Sequence, residues 1–173
     1  MTKSMRCPVH TLPLIMLALA FSAASAYAQT DAQKAFATLK TLPGTWEGKG
    51  MEGADSNMPV RVDFKITGGG SAIMSEIQGH ADMISMFHMD GDRLLMTHYC
   101  AVGNQPRMQA SSSPDGKTLT FNFVDATNLS SPDLAHMHKM ILTVLDENHH
   151  REEWVLVDHG KEHKAVFDLH RKS

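Results

Sequence analysis

Five side chains able to bind metal or carry protons stand at alternate positions along otherwise apolar stretches. His98 and Cys100 follow Leu94 and Met96, His136 and His138 precede Met140 and Leu142, and His163 precedes Ala165 and Phe167. Side chains two apart on a strand point to the same side, so each stretch sends its polar members where its apolar ones go. If these rows face one interior, His98, Cys100, His136, His138 and His163 share it. Imidazole and thiolate are ligands for zinc, copper or haem iron, and the metal set on this reading is His98, His136, His138 and His163. The chain has 11 histidines in all, and a buried imidazole is as readily a hydrogen-bonded core member as a ligand. Arg107 follows Asn104 and Gln105 at the entry to a strand. Facing inward it would clamp a ligand carboxylate with both prongs of its guanidinium; facing outward it is a solvated charge.

No catalytic set emerges. G-x-S-x-G, H-E-x-x-H, the P-loop and the Rossmann glycine pattern are all missing from the sequence. Same-face residues two apart on a strand, such as His98 and Cys100, are about 6–7 Å apart at the backbone, too far for a nucleophile and its base. Thioethers with imidazoles suit Cu(I), but Met83 and Met86 fall on opposite faces of one strand, and the methionines are read as pliable core filling. The residues therefore read as a non-enzymatic binder of a small apolar or amphipathic molecule. A metal- or haem-binding barrel using the same histidines is the alternative.

The elements that must position these residues are nearly all strands. Residues 31–40 form a short helix, with Asp31 as cap, Ala32, Phe36 and Leu39 on one face, and Pro43-Gly44 as the stop. After Gly44 the alternation has period two, broken by turn residues at intervals of about ten. It predicts strands over 44–51, 58–67, 71–78, 81–89, 92–101, 106–112, 117–125, 136–146, 149–158 and 161–170. Gly68-Gly69-Gly70, Asp90-Gly91, Pro114-Asp115-Gly116, Asn148 and Gly160 supply the turns, and 126–135 is the one long connection. Short connections imply an all-β, antiparallel, up-and-down barrel of about ten strands. Eight strands nearly fill a barrel with their own side chains, so ten should leave room inside.

The start of the chain reads differently. Lys3 and Arg6 precede an apolar run over residues 12–21, and Ala26-Tyr27-Ala28 forms an A-x-A site. That is a cleavable export signal over residues 1–28, too short in its apolar part to span a bilayer, and it predicts a periplasmic or secreted protein. Cleavage leaves one domain over 29–173, with 14 basic and 19 acidic residues and a charge of −5. A mildly acidic chain without a basic stripe argues against nucleic acid as partner, and no second apolar run is long enough to span a membrane. Of the two cysteines only Cys100 remains, which excludes an internal disulfide in the mature chain.

The run Leu42-Pro43-Gly44-Thr45-Trp46-Glu47-Gly48-Lys49-Gly50 resembles the opening of the calycin barrels, with the G-x-W of lipocalins and the G-T-W-x-G-x-G of nitrobindins. The resemblance implies a tryptophan, Trp46, closing one barrel end beneath an arginine of the last strand region, Arg171. From nitrobindin it implies haem held by a histidine near the C-terminus, for which His163 and His170 are the candidates. Further segments resemble a family of uncharacterised exported bacterial proteins: 97–101, 103–108, Phe123-Val124-Asp125-Ala126-Thr127-Asn128-Leu129, and His136-Met137-His138. That resemblance carries fold and export, and no activity.

Overall fold

The computed structural model describes residues 29–53, 56–79 and 81–172. The export signal read over residues 1–28 lies outside the described residues. A helix, α1 (Asp31–Leu39), opens the described chain, and Thr30 caps it reciprocally with Gln33. Ten strands follow: β1 (Gly44–Glu52), β2 (Pro59–Thr67), β3 (Ala72–Gln78), β4 (Met83–Asp90), β5 (Arg93–Tyr99), β6 (Gln105–Ser112), β7 (Thr118–Thr127), β8 (His136–Asp146), β9 (His149–Asp158) and β10 (Lys161–Arg171). Each pairs antiparallel with its sequence neighbours, and β1 pairs with β10, so the sheet closes into a barrel. The fold is the all-β, ten-stranded antiparallel barrel with one short helix that the alternation predicts.

The glycines of the β1 run have a physical reason at the closing seam. A Cβ on Gly48 would stand 1.8 Å from the backbone oxygen of Asp168, so only glycine lets β10 approach this closely. Gly44 has φ +124°, in the region that favours glycine, and lies against the Arg171 guanidinium.

The two ends of the barrel differ. At one end α1 buries Ala35, Phe36 and Leu39 in the core, and the Thr38 hydroxyl donates to the carbonyl of Gly116 in the β6–β7 turn. Trp46 is fully buried there, its indole N–H donating to the Leu42 carbonyl at 2.8 Å. The Arg171 guanidinium lies 4.2 Å from the Trp46 ring centre and donates to the carbonyls of Thr41, Pro43 and Glu147. One arginine thus ties the post-helix segment and the β8–β9 turn to the last strand. At the other end Met58, Gly79, Ala81, Val102 and Lys164 border an opening. There the Asn104 side chain donates to the Ala135 carbonyl and that of Asn128 to the Gly103 carbonyl, which stitches the β5–β6 and β7–β8 connections together.

Candidate functional site

A cavity of about 370 Å³ lies inside the open end, within the range of small-molecule sites. Its wall is apolar: Val60 from β2, Ile77 from β3, Met137 from β8, Trp154 and Leu156 from β9, and Phe167 from β10. Its polar members are few, chiefly the Cys100 thiol, with His163 and Lys164 on exposed positions of β10. Burial pushes the Cys100 thiol up, so it stays a neutral, apolar-like wall group. Met58 and Val102 at the mouth are both cavity-lining and well exposed.

The structure separates the five residues that alternation places together. His98 is fully buried, on the row of Leu94 and Met96, behind the cavity wall with its ring centre 4.8 Å from that of Trp154. Its Nδ1 is 2.9 Å from the Ser85 hydroxyl, and its Nε2 is buried without a partner. Desolvation lowers its pKa to about 4, so the ring is neutral. Cys100 reaches the cavity from the same row. His163 also lines the cavity, but at its exposed rim rather than inside.

His136 and His138 correct the alternation reading. The β8–β9 register skips between Met137 and Lys139, so β8 carries one extra residue there, a β-bulge. Past the bulge the faces exchange, and Met137 rather than His136 joins the inward row of Met140 and Leu142. Met137 pairs with Leu156, which pairs with His163 on the cavity row; His136 pairs with Val157, which pairs with Glu162 on the opposite row. His136 Nε2 and His138 Nδ1 are 3.2 Å apart, and His138 stacks on Phe123 where β7 and β8 part. His138 is exposed, and its pKa is lowered first by desolvation and then by His136 and Lys139. Arg107 is likewise an outward residue: it forms a two-pronged ion pair with Asp125 on β7, with Nε 2.6 Å from Oδ1. A guanidinium held by a neighbouring strand does not face a ligand inside. His98, His136, His138 and His163 therefore do not form a common lumen cluster.

Two groups that alternation did not single out are assembled by β9. His150, Glu152 and Trp154 follow one another on its inward row, all buried, with the Glu152 carboxylate 3.3 Å from His150 Nε2 and accepting from Trp154 Nε1 at 3.0 Å. The His150 ring meets the Trp46 ring edge-on at 4.3 Å. A polar thread thus runs from the cavity wall to the closed end, with Glu152 satisfied on both oxygens. On the outer face, His149 of β9 lies opposite His170 of β10, and Asp168 is two residues along. Among the described residues this is the one group of three whose potential ligand atoms all lie within 4.8 Å of one another. His149 and His170 sit in stretches of turn and strand end, so only their cross-strand pairing reveals them.

No family model matches the chain, and no curated protein matches its sequence. Among solved structures the fold is similar to that of a protein of unknown function from the DUF3598 family of Nostoc punctiforme PCC 73102, with a TM-score of 0.52 at 8% identity. The match covers 78% of this chain and 49% of the other, so the chain spans about half the length of that protein. The likeness is one of fold. Among the described residues no helix is long and apolar enough to cross a membrane.

Proposed function

We propose that the protein is an exported, calycin-like barrel that binds a small apolar or amphipathic molecule in the cavity at its open end, without catalysing a reaction on it. The observation that supports this reading most directly is the cavity itself. About 370 Å³ is lined by side chains such as Ile77, Met137, Leu156 and Phe167, with the charged Lys164 and the His163 imidazole at its rim. Apolar space of this size attracts hydrocarbon by removing it from water, and the exposed Met58 and Val102 extend the apolar surface to the entrance. His163 and Lys164 at the rim suit a polar or anionic head left outside. The exported location rests on the residues 1–28 pattern, and the calycin-like assignment on the Gly44–Gly50 run and the Trp46–Arg171 pair.

Trp154 is a reporter built into the wall. With Trp46 replaced by phenylalanine it is the sole tryptophan, since the chain has two. Titrating a medium-chain fatty acid and the matching alcohol should change Trp154 emission saturably. Ala165→Phe, which fills the cavity from β10, should weaken that binding at least tenfold while leaving the fold intact by circular dichroism. A saturable signal unaffected by Ala165→Phe, or no signal with either probe, would exclude ligand binding in this cavity.

A further inference from the structure

We propose that the outer face of β9 and β10 carries a site for a divalent transition-metal ion of the Zn²⁺ type, held by His149, Asp168 and His170. It is separate from the cavity and does not depend on what the cavity binds. The geometry is that of a strand pair. Asp168 and His170 are alternate residues of β10 and so share its outer face, and His149 is directly opposite His170 on β9. Both imidazoles turn their Nε2 to the same carboxylate oxygen, Asp168 Oδ1, at 2.7 Å for His149 and 3.4 Å for His170. The two rings lie nearly parallel, 18° apart with centres 4.2 Å apart, so their nitrogens reach the same side of the sheet. Nitrogen and oxygen ligands about 2.0–2.2 Å from a tetrahedral ion stand a little over 3 Å from one another, close to this spacing.

The second oxygen of Asp168 is already engaged, since Arg151 donates to Oδ2 at 2.9 Å. That bond fixes the carboxylate so that Oδ1 faces the imidazoles, the role outer groups play around metal-bound carboxylates. The surrounding charge is mixed. By register Lys49 of β1 and Arg151 of β9 flank Asp168, while Glu47 of β1 and Asp146 of β8 lie beside His170 and His149. Glu47 is itself paired with Lys172 at 2.6 Å and with Arg61 at 3.4 Å, so an ion is drawn here by the ligand atoms and not by a net negative surface. Two imidazoles and one carboxylate favour Zn²⁺, Ni²⁺ or Cu²⁺ over Ca²⁺ or Mg²⁺, which prefer all-oxygen shells. His170 is largely exposed, which gives the ion a way in and leaves water to complete its shell. A bound ion would cross-link β9 to β10 beside the seam where the barrel closes.

Calorimetric titration of the untagged mature chain with Zn²⁺ tests this, alongside imidazole NMR spectra. One ion should bind per chain, shifting the His149 and His170 resonances and leaving those of His136, His138 and His163 in place. The melting temperature should rise with Zn²⁺ concentration. His170→Ala, at an exposed position, and Asp168→Asn should each weaken binding at least tenfold and abolish the rise. His163→Ala should change neither. Absence of Zn²⁺ binding, binding unchanged in His170→Ala, or shifts confined to other histidines would overturn the proposal; His170→Ala keeps the test valid should Asp168→Asn fail to fold.

Discussion

Burial against Trp154, with a single hydrogen bond to Ser85, holds the His98 ring neutral and lowers its pKa to about 4 from the ordinary 6.5. The sign of the resulting pH dependence follows. The unfolded chain takes up this proton near 6.5, the folded chain only near 4, so between those values the unfolded state binds more protons. Stability from this residue is fully present above about pH 6.5 and is lost as the pH falls toward 4, by up to about 3 kcal/mol. His98→Gln keeps a partner for Ser85 and removes the titration. Unfolding free energies measured from pH 4.5 to 7 should slope less in His98→Gln than in the parent chain; equal slopes would show that His98 is not the buried neutral group. At this scale the sequence was partly legible. The apolar company of Leu94 and Met96 marks His98 as inward, whereas nothing adjacent to Arg107 announces Asp125, eighteen residues away across β6 and β7.

Among the elements, β1 and β10 decide whether the sheet becomes a barrel, and at Gly48 they leave no room for a side chain. Gly48→Ala sets a Cβ 1.8 Å from the Asp168 carbonyl oxygen, and backbone cannot step aside as the end of a side chain can. The seam must open locally, at a cost of about 1–3 kcal/mol. At Gly79, by contrast, an added Cβ has among the described residues only the Pro59 oxygen near it, at 3.9 Å, so Gly79→Ala should shift stability by less than about 0.5 kcal/mol. Urea midpoints of the two variants make the comparison; similar midpoints would argue that β1 and β10 are less tightly joined than described. The G-T-W-x-G-x-G run therefore has a mechanical content that its letters do not disclose: a positive φ at Gly44, a buried plug at Trp46 and a contact at Gly48. In β8 the element scale works the other way, because its bulge exchanges the faces of a strand whose sequence alternates without interruption.

At the scale of the whole molecule, one end of the barrel is plugged by α1, Trp46 and Arg171 and the other opens on an apolar cavity, which suits the proposed binding of a small apolar molecule. The export proposed from the pattern of residues 1–28 makes a direct prediction. Intact mass of the protein recovered from its native compartment should correspond to a chain beginning at Gln29; recovery of chains starting at Met1 from the cytoplasm would refute export. The succession of ten strands and one helix was legible in the sequence because each rests on local physics. Alternation over a few residues selects the strand, turn residues set its ends, and short connections leave antiparallel neighbours as the simplest arrangement. That a ten-stranded barrel leaves space inside follows from the strand count. Which residues border that space did not follow. An extra residue in β8 turned Met137 inward and His136 away, and pairing between β9 and β10 brought His149, Asp168 and His170 together. Those outcomes depend on register between strands, a non-local property: sliding or bulging one strand by a residue reverses its faces while leaving its own sequence pattern unchanged.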